Sequence, residues 1–542
     1  MTTTTQRRPG PPPGAAGPPG RAGFGPLLRA EWTKFRTVRG WVIGMAVAAL
    51  VMVLFGLLAS AGSHFGCAGP GCPPAHPVGP GGQAVTDNFY FVHQPLAGNG
   101  SITVRVTSMT GAIFGNEAAG GAGARAHQAG GPPPRVTSRG TQPWAKAGII
   151  IKDGTSQGSA YAAILVTPGH GVRFQYDYVN DTAGLSGTVS AAAPRWLRLT
   201  RAGDVVTGYD SADGTHWSQV GRASLAGLPG TAQAGLLVAS PGYNQSFDQH
   251  LGGSSGVTGP TLATATFDHV SLQSRWPGGT WRGDQVGGNA GASYPVAPGG
   301  FARSGGTFTV SGSGDVAPAE SSAFGIGVGM EQTLVGAFAG LIAVIVVAVM
   351  FITAEYRRGL IRITLTASPR RGQVLAAKAV VIGSVTFAAG LVAGLVAVPL
   401  GERLLRANGM YVYPVTTLTA LRVVAGTAAL LAVAAVLALA AGTTLRRSAV
   451  AVTAVITAIV LPYILAVAMV LPNGASDWLL RVTPAAAFAI QQSIPQYPQV
   501  ASGCTPASGC FPLAPWTGFA VLCGYAALAL GLAVFLLRRA DA

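Results

Sequence analysis

The sequence predicts a polytopic α-helical membrane protein with six transmembrane helices and an inserted all-β antiparallel sandwich domain. Of its 542 residues only 10% are charged, and the mean hydropathy is +0.42. That balance is too apolar for an ordinary soluble chain. Six runs, at 41–61, 334–354, 380–400, 423–443, 450–470 and 516–537, contain no Asp, Glu, Lys, Arg or His. Each is long enough to cross a hydrocarbon layer of ~30 Å as a helix. Between the first and second runs the hydrophobic period changes to two, the mark of half-buried strands.

In chain order, residues 1–26 centre on PGPPPGAAGPPG and are too rich in Pro and Gly to bury a core, so a disordered tail is expected. From Phe24 to Arg39, Leu27, Leu28, Trp32 and Phe35 segregate from Arg29, Glu31, Lys34 and Arg36 at roughly helical spacing. An amphipathic helix on the inner membrane surface fits this pattern; a plain basic flank is the alternative. Ala59, Ser60 and Ala61 would suit a signal peptidase, but the basic flank of about 40 residues and the apolar run of about 20 exceed a signal sequence with its ~7–15-residue core. An uncleaved first span is therefore expected.

Region 62–332 is read as extracytoplasmic. Its sandwich, at about 87–274, begins with Ile102, Val104 and Val106 alternating against Thr103, Arg105 and Thr107. Val172, Phe174, Tyr176 and Tyr178 alternate likewise against Arg173, Gln175 and Asp177. Further strands are expected at 147–153, 160–167, 195–201, 234–240 and 265–272, separated by turn-forming residues, which is the spacing of an antiparallel sandwich. Residues 111–140 read as a Gly/Pro-rich surface loop, and 275–330 as a Gly/Ser-rich return to the membrane with one hairpin around GTFTVSGSG. The remainder, 333–542, holds spans two to six, a basic segment at 355–378 and an external loop at 472–515.

Charge orients the chain. The segments 1–40, 355–379, 444–449 and 538–542 hold 17 Lys/Arg against Glu31, Glu355 and Asp541, whereas 62–333 holds 14 of each sign. An excess of Lys and Arg in short flanking segments marks the cytosolic side. Both termini are then cytoplasmic, in a multi-pass protein of the cell membrane. The formal charge of +16 is thus a topology signal and not a nucleic-acid face.

Four of five cysteines fall on the opposite, oxidising side. Cys67 with Cys72 and Cys504 with Cys510 are disulfide candidates, with free thiols or cross-loop pairing as alternatives. Cys523 lies within the sixth run as a small packing residue. No zinc site is expected, since the second pair has no histidine near it and only His64 and His76 accompany the first.

No Gly-Lys dipeptide occurs, so the phosphate-cradling G-x-x-x-x-G-K-[ST] loop is absent from the sequence. Nor do the apolar runs contain the ionisable groups that an ion-coupled carrier uses. If the chain serves transport, energy must then enter from a separate motor, and no cofactor is expected in this chain.

RAEWTKFRTVRGW before the first run, FITAEYRRGLIRITLTASPRRGQVLAAK after the second, and six spans in all resemble the permease subunit of bacterial ABC-2-type transporters. The resemblance covers 27–61 and 330–542. It implies a non-enzymatic subunit of an exporter, a partner ABC ATPase that binds ATP and Mg, and a second permease copy or homologue. It makes 27–39 similar to a connecting helix and the segment after span two similar to the coupling helix that docks on the ATPase. Glu355, Arg357, Arg358, Arg362, Thr364, Ser368, Pro369, Arg370 and Arg371 would then lie at or near that contact. The alternative for these basic residues is topology alone, meeting lipid phosphates. Trp478, Leu479 and Leu480 resemble short helices that dip into the outer leaflet.

The insertion separately resembles concanavalin-A-like lectin or glucanase jelly rolls, through WAKAGIIIKD, RWLRLTR and YDSADGTHWSQVG. Paired glutamates for glycoside hydrolysis are missing from its strands, so no hydrolase is expected. Trp144, Tyr176, Trp196 and Trp217 are candidates for stacking on sugar rings, or else sandwich core. Asp210 to Gly214 reads as a hairpin turn, with a calcium role as the minor alternative. A second function class stays open: a membrane-anchored carbohydrate-binding or sensory protein that displays a lectin-like domain.

Overall fold

The computed structural model describes residues 23–64, 77–114, 136–248, 254–274, 276, 279–287, 299–319, 327–357, 371–468, 471–500, 506 and 509–539. Helix α1 (Phe24–Thr37) leads through an extended Val38 into α2 (Arg39–Gly62). The membrane part continues with α3 (Gly336–Arg357), α4 (Arg371–Ala407), α5 (Thr417–Leu445), α6 (Ser448–Val467), α7 (Asn473–Val482) and α8 (Pro515–Arg539). Six of these, α2 to α6 and α8, are long and apolar enough to span a membrane. Each overlaps one of the charge-free runs and extends past it at one or both ends. The 37-residue α4 overshoots a bilayer core at both ends.

Helix α5 is the axis of the bundle. Its Ala434, Ala435, Ala438 and Gly442 are buried, and small residues let neighbouring helices approach closely. The closest approach lies between α2 and α3: a Cβ on Gly336 would stand 1.9 Å from the Met52 carbonyl oxygen. After amphipathic α7, with Leu480 buried and Trp478 exposed, a 3-10 segment (Pro484–Gln491) is buried whole against α5 and α8.

The insertion is a two-sheet antiparallel sandwich. One sheet runs in the order Ser218–Ser224, Val205–Ser211, Arg195–Ala202, Gly100–Phe114, Thr261–Ser274, Thr307–Gly312, Gly300–Ser304, with Val136–Arg139 also paired to Gly100–Phe114. The other runs Arg282–Val286, Phe89–Ala97, Thr231–Ala239, Lys146–Lys152, Tyr161–Thr167, Gly171–Tyr176, Asn180–Ala183. Their facing sides bury Ile102, Val104, Leu197, Leu199 and Phe267 against Val92, Ile149, Ile164 and Phe174.

The sandwich continues past Ser274, because three strands of the return segment join its sheets. The expected hairpin is Gly300–Ser304 with Thr307–Gly312, turned by Gly305 and Gly306 at φ 55° and 85°. Most of the predicted 111–140 loop lies outside the described residues.

Two strands lose alternation altogether. Lys146–Lys152 and Tyr161–Thr167 are buried at every position. The cause is a ribbon of Val85–Asp87 paired with Val316–Pro318, the two segments joining the sandwich to the membrane, which covers the outer face of their sheet. Tyr178, expected in phase with Val172 and Phe174, instead follows the strand end in a turn and is buried in that second layer.

Candidate functional site

Helix α1, the end of α3 and the start of α4 meet around Lys378. Sequence spacing puts Leu28, Glu31 and Phe35 on one stripe of α1, and Glu31 and Phe35 are buried while Trp32 stays 46% exposed. The sequence pattern grouped Trp32 with the apolar positions and Glu31 with the charged ones, yet it is the Glu31 carboxylate that lies buried beside Phe35. It is tolerated because its charge is paired. Lys378 Nζ, on α4, donates to Glu31 Oε2 and to Glu355 Oε1 of α3, both at 2.6 Å. Lys34 Nζ reaches Glu31 Oε1 at 2.8 Å and Glu355 Oε1 at 3.4 Å. Partial burial works against the Lys34 charge, but Glu31 and then Glu355 outweigh it and hold its pKa above the ordinary lysine value.

Aromatic rings wall the cluster. Phe351 lies 5.0 Å below the Lys378 ammonium and packs edge-on against Phe35 and Trp41 at 5.9 and 5.8 Å. Such a ring face favours a cation above it. Glu355 Oε2 is buried without a hydrogen-bond partner. Two lysines and two glutamates from three helices therefore form one enclosed cluster, and α3 and α4 are the helices that bracket residues 358–370.

Of the coupling residues expected from the sequence, Glu355 is in this cluster and Arg357 is exposed at the end of α3. Arg371 Nη1 donates to the Leu537 carbonyl at 2.5 Å, tying the start of α4 to the end of α8. Arg358, Arg362, Thr364, Ser368, Pro369 and Arg370 lie outside the described residues. Lys378 had counted as one of the free positive charges of the basic segment, but Glu31 and Glu355 neutralise it. Glu31, Lys34 and Lys378 were not foreseen as one site; the signal was that Glu31 and Glu355 are lone acids in otherwise basic flanks.

In the loop before α8, Cys510 is disulfide-bonded, and within α8 Cys523 is a free, half-buried thiol. Cys67, Cys72 and Cys504 lie outside the described residues. Trp144 is buried and stacks on His170 at 3.7 Å, with the Arg173 guanidinium 5.7 Å from its ring. Tyr176 is half-buried beside Phe174. Trp196 and Trp217 come together at one hairpin: Gly214 packs on the Trp196 ring and its carbonyl accepts from Trp217 Nε1 at 3.1 Å. Arg198 lies 3.8 Å over the Trp217 ring. Asp213 caps this hairpin, accepting from the Thr215 and His216 amides at 2.8 Å, as the Asp-Gly turn requires. Among the described residues no three His, Cys, Asp or Glu side chains gather as a metal site.

Residues 150–542 match the model of the ABC-2 family transporter proteins, which is more than half of the chain. The chain belongs to the ABC-2 transporter family. The match begins inside the sandwich, within the strand Lys146–Lys152, and runs through all five later spans. No curated protein matches the chain. Among solved structures, similarity is found to a functionally unknown protein from Saccharomyces cerevisiae at 16% identity, covering 35% of this chain and 76% of that one with a TM-score of 0.18. A scytalido-glutamic peptidase with a transition state analog inhibitor is similar at 9% identity, covering 42% of this chain and 98% of that one with a TM-score of 0.25. Scores this low carry no argument about the sandwich. As a member of the ABC-2 family with six membrane-spanning helices, the chain is a membrane transport protein of the permease type.

Proposed function

We propose that this chain is the permease subunit of an ATP-driven exporter, working with a separate ABC ATPase and paired with a second permease copy or homologue. The observation that carries this reading is the buried Glu31–Lys378–Glu355 cluster. The segment between α3 and α4, where an ATPase would dock, has its two flanking helices joined by charge to each other and to α1. A push on that segment reaches the first, second and third spans together. A mere anchor for a displayed domain would have no use for such a junction, where three charged helices are buried at a desolvation cost.

The basic segments are assigned to the cytosol and residues 62–332 to the outside. The disulfide at Cys510, in the loop before α8, supports that assignment, since disulfides persist in oxidising compartments. The sandwich is read as a lectin-like module at the outer mouth.

The test is purification of the tagged chain from its own cells in mild detergent. An ABC ATPase subunit, recognised by its Walker sequence in mass spectrometry, should accompany the wild type and be lost from Arg357→Glu combined with Arg370→Glu. Failure of any ATPase to accompany the wild type, or its retention by the double variant, overturns the reading.

A further inference from the structure

A short turn of the sandwich touches three parts of the molecule at once. Asp177 and Tyr178 adopt φ 46° and 70°, a left-handed conformation that costs free energy for any residue with a side chain and is unusual for a bulky one. Such a turn persists only where its surroundings hold it. Inside the sandwich, the Tyr178 hydroxyl lies 2.7 Å from Asp87 Oδ2 and accepts from Lys152 Nζ at 3.1 Å. Asp87 belongs to the ribbon that joins the sandwich to α2 and α3.

The turn's carbonyls face outward to two further segments. Asp177 O accepts from Gln83 Nε2, in the stretch before the ribbon, at 3.2 Å. Tyr178 O and Val179 O accept from Gln499 Nε2 at 3.4 and 3.1 Å. Gln499 is 2% exposed and stands in the loop between the last two spans. One amide thus bridges the sandwich and the membrane part, 320 residues apart in sequence.

Below this contact, a cavity of about 90 Å³ is lined by Gln83, Ala319, Tyr413, Thr416, Ser493 and Ile494. It separates the ribbon, the loop after α4 and the last external loop. Beside it Ala84, Ala319 and Tyr413 pack together with Ile494 against them, and the turn at 177–179 ties both the stretch before the ribbon and the last external loop to the sandwich.

We propose that residues 177–179 form a latch through which the sandwich sets the position of the loop between the last two spans, so that a displacement of either is passed to the other through Tyr178 and Gln499. Coupling of this kind is reciprocal. It goes beyond the permease reading, which it uses only in regarding that loop as part of the outer mouth.

Hydrogen exchange on the full chain in lipid nanodiscs, without an ATPase, tests it. Tyr178→Phe removes only the hydroxyl that meets Asp87 and Lys152. It should raise amide exchange at 493–500 on the order of tenfold while the strand Tyr161–Thr167 keeps its protection, as expected for a local opening. Gln499→Ala should do the same at 493–500 and also at 177–180, within the sandwich. Unchanged exchange at 493–500 in both variants, or a rise that comes only with general loss of protection in the sheets, overturns the latch. Should Tyr178→Phe fail to fold, the reciprocal effect of Gln499→Ala at 177–180 decides alone. Because no transport or ATPase activity is read, failure of the permease reading leaves this result interpretable.

Discussion

Lys378 among the membrane helices and Lys152 in the sandwich are both fully buried, yet they fasten their surroundings differently. Among the described residues, Lys378 hydrogen-bonds only to the carboxylates of Glu31 and Glu355, so α1, α3 and α4 are joined through flexible side chains. Lys152 bonds to Asp87, to Tyr178 and to the Ser159 carbonyl, while Asp87 also accepts from the Gly158 amide at 2.9 Å. A few residues away, Lys146 joins Asp315 at 2.5 Å and the Val316 carbonyl at 2.7 Å. Backbone groups in these networks fix the ribbon against the sheet, whereas side chains alone let helices tilt while the charges stay paired. The lesson is that a buried lysine serves as a joint in one place and a weld in the other. Each cluster also leaves one enclosed carboxylate oxygen unpaired, Glu355 Oε2 and Asp87 Oδ1.

The largest expected effect tests the weld. Lys152→Met removes the cation bonded to Asp87, and stranding a buried charge costs about 3–5 kcal/mol, read as a lowered thermal midpoint of the sandwich. A cost below about 1 kcal/mol would mean that the Tyr178 hydroxyl and Gly158 amide suffice for Asp87. Next comes the joint. Lys378→Met leaves Glu31 and Glu355 with half-exposed Lys34 as counter-ion, so the loss should be smaller, about 2–3 kcal/mol by thermal unfolding in detergent. Adding Glu355→Gln should restore part of it. If the double variant is instead worse than the single, the two carboxylates are not competing for one cation and the joint is misdescribed.

The smallest effect is a control on the exposed surface. Asp213 raises the pKa of His216, first through their 2.6 Å side-chain contact and then through its charge. A raised histidine pKa favours the folded state below the unfolded value and loses that contribution as pH rises through the folded one. Both groups are open to water, so NMR titration should show the His216 midpoint above 6.5 and falling in Asp213→Asn, with no change in melting temperature. A lowered melting temperature would give this surface pair the structural weight argued for the buried ones.

Spans and strands were legible in the sequence because each needs only a local pattern. An apolar run of about 20 residues must leave water, and Arg195–Ala202 alternates because only one side of its sheet is covered. The clusters were not legible in the same way. Nothing near Glu31 in sequence indicates that Lys378 will meet it, and helical spacing grouped it with the charged positions of its segment. Lys152 ends a buried strand, but its partner Asp87 comes from a ribbon whose second strand follows the whole sandwich.

By itself, then, the sequence determined six membrane helices and an inserted antiparallel sandwich, since hydrophobic period acts over a few residues at a time. Tertiary structure alone decided which charges are paired and buried, that Tyr178 leaves its strand for a left-handed turn, and that Gln499 reaches back to it. These outcomes depend on segments hundreds of residues apart, brought together where the desolvation of each charge is offset by the others.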